Sequence, residues 1–187
     1  MDRKEYIKKM KSTIRTAISG DGEILASLNE CVHKMHQEEF PDHLKDTTLE
    51  EAESWFEERI LSDNYKIWIA ECDHEPAGYV SAVIAKRKED AFAYARSWVQ
   101  VYQIVVLPDC RKRGISRQLI ERVVDLARQV GTQELELYCW AFNKSAHAAF
   151  EKLGFSAKAT NFSLDVNSMS QTPGKPLASA NADKPHS

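Results

Sequence analysis

The residues whose chemistry is easiest to name lie in the middle of the chain. Arg111-Lys-Arg-Gly-Ile-Ser-Arg117 follows an apolar, strand-like run, Trp98 to Leu107, which Pro108 closes. The same residues open directly into an amphipathic helical pattern. At a strand–turn–helix junction the first main-chain N–H groups of the helix have no intrahelical acceptor, and the macrodipole adds partial positive charge. Such a turn suits a diphosphate. Gly114 lets the backbone approach closely, and Arg111, Lys112, Arg113 and Arg117 add cationic charge. The spacing is neither the GxxxxGKS/T of a P-loop nor the GxGxxG of a dinucleotide fold. Taken alone, the run also reads as a basic helix start facing water.

A second segment lies about 30 residues downstream: Cys139-Trp-Ala-Phe-Asn143, then Ala146, then Ala149-Phe-Glu-Lys-Leu-Gly-Phe155. Asn143 is placed to cap a short helix and Gly154 to end it. The two segments together resemble the GNAT acetyltransferase family. Its loop reads R/Q-x-x-G-x-G/A after a strand ending in V-x-P, and its later segment reads W-x-F-N followed by Y-E-K-L-G-F. Arg111, Gly114 and Ser116 fill the three loop positions, with Ser116 a small stand-in for Gly or Ala. The resemblance spans roughly residues 13–166 and is sharp over residues 101–155.

The resemblance implies acetyl-CoA as cofactor and acetyl transfer to a primary amine, by direct transfer in a ternary complex. It implies a cofactor site made of Arg111, Lys112, Arg113, Gly114, Ile115, Ser116 and Arg117 around the diphosphate. Ile104, Val105 and Val106 would hold the acyl group and pantetheine through main-chain amides, with Asn143 and Phe150 beside that arm. Two departures follow. The family's usual general acid is a tyrosine where this chain has Phe150, and its usual strand carboxylate is missing near Tyr102 and Gln103. Tyr102, Gln103 and Tyr138 remain as candidate catalytic groups, acting directly or through water. In the family the connection between the first two helices covers the acceptor. That makes His36, Glu39 and Asp42 candidates for the substrate-pocket rim, with Glu38 a further carboxylate there. His33, His36 and His43 match no zinc spacing, so no metal is expected.

The elements that must position these groups follow from periodicity. Residues 13–17 read as a strand. Ser19 to Asp21 caps a helix with Ile24, Leu25, Leu28, Val32 and Met35 on one face, ending at Pro41. Thr48 and Glu51 have capping-box spacing and open a second helix with Leu49, Ala52, Phe56 and Ile60 inward. Strands follow over residues 65–71, 77–85 and 98–107, then a helix from the basic turn to Val130. A strand over residues 134–139, a helix to Leu153 and a last strand over residues 155–166 complete the order β-α-α-β-β-β-α-β-α-β. This is an α/β class reading: a mixed, mostly antiparallel twisted sheet flanked by helices, in one domain over residues 13–166. Residues 1–12 form a basic leader to it, and residues 167–187 read as a disordered tail from their Pro, Ser, Ala and Asn content.

Composition narrows the function classes. The chain has 187 residues and a net charge of −3, which disfavours nucleic acid as a partner. No apolar run approaches the roughly 20 residues that span a bilayer, and residues 1–12 lack the apolar stretch of a secretory signal. The cysteines are scattered without a CxxC pair, which points to reduced thiols and a cytoplasmic setting. Acidic residues dominate residues 20–75 and basic ones residues 76–166, a split that suits a cationic small-molecule or peptide acceptor and an anionic cofactor, although solvated acidic helix faces give the same pattern. A homodimer is compatible with the reading. The alternative function is a non-catalytic acyl-CoA-binding sensor or partner-binding module of the same fold.

Overall fold

The computed structural model describes residues 12–166. They fall into two compact units that divide between Tyr138 and Cys139. The first unit contains β1 (Ser12–Thr16), α1 (Gly22–Glu39), α2 (Leu49–Ile60), β2 (Tyr65–Cys72), β3 (Glu75–Arg87), β4 (Arg96–Val106), a 3₁₀ turn (Pro108–Cys110), α3 (Ile115–Gln129) and β5 (Leu135–Leu137). The second contains α4 (Lys144–Leu153).

The five strands form one sheet in sequence order. The first four pair antiparallel and β5 runs parallel to β4. Alternation along the strands sends Ile67, Ile69, Tyr79 and Val105 to one face, where Leu25, Ala26 and Leu28 of α1 and Phe56 of α2 cover them. Helix α3 packs against β2, β3 and β4 through Ile115, Leu119, Ile120, Val123, Leu126 and Ala127, all buried. Full burial of a side chain such as Phe56 or Leu119 is worth about 2 kcal/mol.

Local chemistry sets the helix starts. Thr48 and Glu51 form the reciprocal capping box expected of them, with Glu51 N–H donating to Thr48 Oγ1 at 3.2 Å and Thr48 N–H donating to Glu51 Oε2 at 3.0 Å. Asp21 stands at the N-cap of α1 but its carboxylate does not cap that helix. It accepts from Arg15 at 2.6 and 2.9 Å and from Ile18 N–H at 2.8 Å. Glu57 of α2 takes over at the α1 start, accepting from Gly20 N–H and Gly22 N–H at 2.9 and 2.8 Å.

Several sequence expectations are corrected. Residues 155–165 form no strand, and Phe162, Leu164 and Val166 stand 88%, 61% and 76% exposed. Alternation in sequence makes a strand only where a sheet edge pairs with it, and no pairing forms there among the described residues. The expected strand over residues 134–139 shrinks to Leu135–Leu137. Met35 and Leu49, expected inward, are 37% and 48% exposed because each lies at the outer end of its helical stripe. Trp140 is 41% exposed, and no described residue from 139 to 166 is buried. The expected leader and tail lie outside the described residues, apart from Ser12 at the start of β1.

Candidate functional site

The site is built on the point where two parallel strands part. β5 meets β4 only at Val99–Leu135, Gln100–Glu136 and Val101–Leu137. Arg96 clamps that short pairing, with Nη2 at 2.6 Å from Glu136 and 3.1 Å from Glu134. Beyond Val101 the β4 edge has no strand partner among the described residues, while its other edge stays paired with β3 up to Val106–Gly78. Leu107 N–H donates to Ala77 O at 2.9 Å, so its main-chain groups face β3. Alternation then turns those of Ile104 and Val106 to the open edge. In agreement, the Val106 carbonyl accepts from Arg111 Nε at 3.1 Å on that side. Val105 faces β3, and its buried side chain belongs to the core.

A register shift between Ser81 and Ala82 sets this parity, with Gln103 opposite Ser81 and Val101 opposite Ala82. The extra residue is Tyr102. Gly78 is required further along, opposite Val106: a Cβ there would collide with the Val105 carbonyl. Close passage of β3 and β4 therefore holds the strand that carries the open edge.

The basic turn follows at once. Lys112 and Gly114 both adopt left-handed backbone angles, φ 62° and 80°. Gly114 is the N-cap of α3 and no side chain caps the helix. The first intrahelical bond is Gln118 N–H to Gly114 O at 3.1 Å, which leaves the N–H groups of Ile115, Ser116 and Arg117 without an acceptor in the helix. A Cβ placed on Gly114 would meet nothing within 4 Å, so the space over the turn is open. Arg111, Lys112 and Arg117 are exposed, Ser116 is half-buried, and Arg113 Nη1 lies 3.6 Å from Cys72 Sγ. Ile115 contributes main chain only, since its side chain is in the core. The arrangement fits an anionic diphosphate: three convergent amides, a dipole and flanking cations.

Gln103 lies on the α1–α2 face of the sheet in a polar cluster that sequence reasoning missed. The buried Tyr79 hydroxyl donates to Asn29 Oδ1 at 2.8 Å and lies 3.1 Å from Gln103 Oε1. A phenol has one proton, so the second contact is satisfied with the Gln103 amide turned to donate. Burial pushes the Tyr79 pKa well above its ordinary value, which keeps it protonated at neutral pH. Ser81, 1% exposed, has a hydroxyl with no partner beside this group. Tyr102 is 51% exposed and joins a second cluster, with Trp55 and Tyr65. Tyr138, 88% exposed after β5, is not among the aromatic contacts of Tyr102.

His36 is half-buried near the end of α1, two turns beyond Asn29 and on the same helical face. Burial, and then the neighbouring His33, lower its pKa, so it is neutral at pH 7. Glu39 is half-buried at the last residue of α1, and Asp42 is exposed in the connection that follows. Among the described residues no group of three His, Cys, Asp or Glu side chains is arranged to hold a metal.

In the second unit Asn143 is the N-cap of α4, its Oδ1 accepting from Ala146 N–H at 3.1 Å and from Ser145 Oγ at 3.0 Å. Phe150 packs edge-on against Phe155, with ring centroids 5.9 Å apart. Burial raises the Cys139 thiol pKa, which keeps it in the neutral form.

The fold has well-defined counterparts. A tetramutant of the BH1408 protein from Bacillus halodurans superposes with a TM-score of 0.76, at 20% identity over 82% of this chain and 99% of that one. The aminoglycoside N-acetyltransferase AAC(6')-Iy, solved with CoA, gives 0.61 at 21% identity over 84% and 96% of the two chains. Among relatives by sequence, mycothiol acetyltransferase of Beutenbergia cavernae is 28% identical over 135 residues, 72% of this chain and 41% of that protein. The probable N-acetyltransferase camello of Xenopus laevis is 30% identical over 96 residues, 51% and 41% of the two. The chain spans less than half the length of these relatives. The model of the acetyltransferase (GNAT) family matches residues 29–155, which takes in the parted strands, the Gly114 turn and α4. This chain belongs to the GNAT acetyltransferase family.

Proposed function

We propose that the protein transfers an acetyl group from acetyl-CoA to a primary amine of a small molecule or peptide, by direct transfer in a ternary complex. One observation carries the reading: the open β4 edge at Ile104 and Val106 leads within a few residues into the uncapped α3 start at Gly114. The CoA complex of AAC(6')-Iy, a protein of the same fold, supports the choice of cofactor.

Acetyl-CoA, when bound, supplies a thioester carbonyl open to amine attack. The amides of Ile115, Ser116 and Arg117 hold the diphosphate, with Arg111, Lys112 and Arg113 adding charge. Ile104 and Val106 direct main-chain groups along the acyl arm and donate to the carbonyl oxygen, where negative charge develops. Asn143 Oδ1 is used by the α4 cap, and Phe150, at the family's tyrosine position, has no proton to give. The amine must be neutral when it attacks. Gln103, held by Tyr79, orders water toward it, and Tyr102 at the β4 bulge and Tyr138 just after β5 are the other candidate hydroxyls. Neutral His36, with Glu39 and Asp42 on the rim, receives the displaced proton. Positioning, worth roughly 7–11 kcal/mol, outweighs the general acid that Phe150 lacks, worth about 10²–10⁴-fold.

Purified protein is expected to release CoA from acetyl-CoA when offered a broad panel of primary amines, with a thiol reagent as readout. Inertness across the panel together with tight CoA binding favours the second reading, a non-catalytic acyl-CoA-binding module. Phe150 is the observation on that side. Absence of any heat with CoA in calorimetry overturns both.

A further inference from the structure

We infer that Arg59 is the anchor for a carboxylate on the acceptor, so that the amine acetylated is that of a free amino acid or short peptide. This rests on the acetyl-transfer reading above and narrows it.

Three arginines of the first unit have side chains no more than 35% exposed and ion-pair or stack within it: Arg15, Arg59 and Arg96. Two of them are fully neutralised. Arg15 meets Asp21 and Glu71, both at 2.6 Å. Arg96 meets Glu136 at 2.6 Å and Glu134 at 3.1 Å. Arg59 is the most buried of the three, at 21%, yet the one carboxylate within reach among the described residues is Glu58, at 4.0 Å and itself 80% exposed. Its Nη1 donates to the Trp55 carbonyl at 2.9 Å, and its buried Nε has no partner, a feature it shares with Arg96, so the weak ion pair is what sets it apart.

What surrounds this guanidinium is aromatic. It lies 3.2 Å from the Trp55 ring centroid and 5.3 Å from that of Tyr65. Tyr102 closes the frame, stacked on Trp55 at 6.0 Å and edge-on to Tyr65 at 5.8 Å. Aromatic faces attract a cation but carry no net charge, so the guanidinium keeps its capacity for a planar anion. A partly desolvated cation whose one carboxylate is exposed and 4.0 Å away is weakly compensated, and an incoming carboxylate improves that balance. A cationic group, by contrast, would find its place among the rings already filled and would be repelled.

The frame is also in the right place. Tyr102 is the bulged residue of β4, half exposed, and the next two residues are Gln103 and Ile104, where the open strand edge begins. A carboxylate on Arg59 and an amine at that edge would be joined by a short spacer lying over Tyr102. The flat, rigid frame favours an apolar or aromatic spacer.

The test compares matched pairs with acetyl-CoA: phenylalanine against phenethylamine, and lysine against cadaverine. Wild-type protein is expected to use the amino acid with kcat/KM about ten-fold or more above its decarboxylated partner. Arg59→Met should abolish that preference while leaving the decarboxylated amines within about two-fold, and Arg59→Lys should keep part of it. Equal or lower kcat/KM for the amino acids in wild type overturns the inference without touching acetyl transfer. So does a preference that survives in Arg59→Met. The wild-type comparison stands even if a variant fails to fold. If CoA binds but no amine turns over, the acetyl-transfer reading fails and binding decides this one. CoA-loaded wild type should then bind N-acetylphenylalanine in calorimetry, and no detectable binding overturns it.

Discussion

Gly114 and Tyr79 mark two different demands that single residues meet here. Gly114 sits at φ 80° with open space where a side chain would go. An alanine there costs about 1–2 kcal/mol of left-handed strain and places a methyl group over the helix start. Gly114→Ala is therefore expected to lower the melting temperature by a few degrees and to raise the KM for acetyl-CoA more than it lowers kcat. An unchanged KM would remove the turn from the cofactor site. Tyr79 instead serves the interior, with its hydroxyl shared between Asn29 and Gln103. Tyr79→Phe leaves two amide groups short of a partner, at roughly 1–3 kcal/mol. Denaturant unfolding should show that loss, and kcat should fall as well if Gln103 positions the water that meets the amine. A stability loss with kcat intact would confine the cluster to a packing role.

Elements differ in how they can be read from sequence, for physical reasons. α3 was legible because one helix face carries every buried residue and Gly114 marks its start. The capping box of α2 was legible because Thr48 and Glu51 act on each other locally. The α1 start was not, because its free N–H groups are met by Glu57, 35 residues away from Gly22. The Tyr79, Asn29 and Gln103 cluster and the Arg59 frame escaped for the same reason: each joins residues from three elements, and spacing along the chain holds no trace of them. The main-chain role of Ile104 to Val106 came from resemblance alone, and the last strand was misread because alternation does not report whether an edge is available. Asp21 shows the same long-range control, and it makes stability depend on pH. Hydrogen bonds from Arg15 hold its carboxyl below the ordinary value of 3.8, against the opposing effect of burial. A depressed carboxylate stabilises the fold fully above its unfolded pKa and loses that contribution as pH falls through the folded one. Wild type should therefore lose stability below about pH 4, and Asp21→Asn should be less stable at neutral pH but show a shallower loss on acidification. Parallel melting curves from pH 6 to pH 2 would dismiss the pair as a stabilising contact.

At the scale of the whole chain, burial is divided unequally between the two units. Residues 12–138 hold every buried side chain of the described structure, in cores on both faces of the sheet. Residues 139–166 hold none, and α4 is ten residues long with no buried position. A helix of that length is marginal in water on propensity alone, so its stability depends on contacts that bury its apolar face. The asymmetry has a measurable counterpart in amide hydrogen exchange. Amides of β3, paired on both edges, should exchange only through opening close to global unfolding, whereas those of α4 should exchange through local opening at a much smaller free energy. The acetyl-transfer reading adds a second expectation. Addition of CoA should slow exchange at Ile104, Val106 and residues 115–117. Unchanged exchange there would remove the parted strand and the Gly114 turn from the cofactor site. Equal protection of α4 and β3 before CoA is added would mean that the apolar face of α4 is covered in solution, against the unequal burial from which the expectation starts.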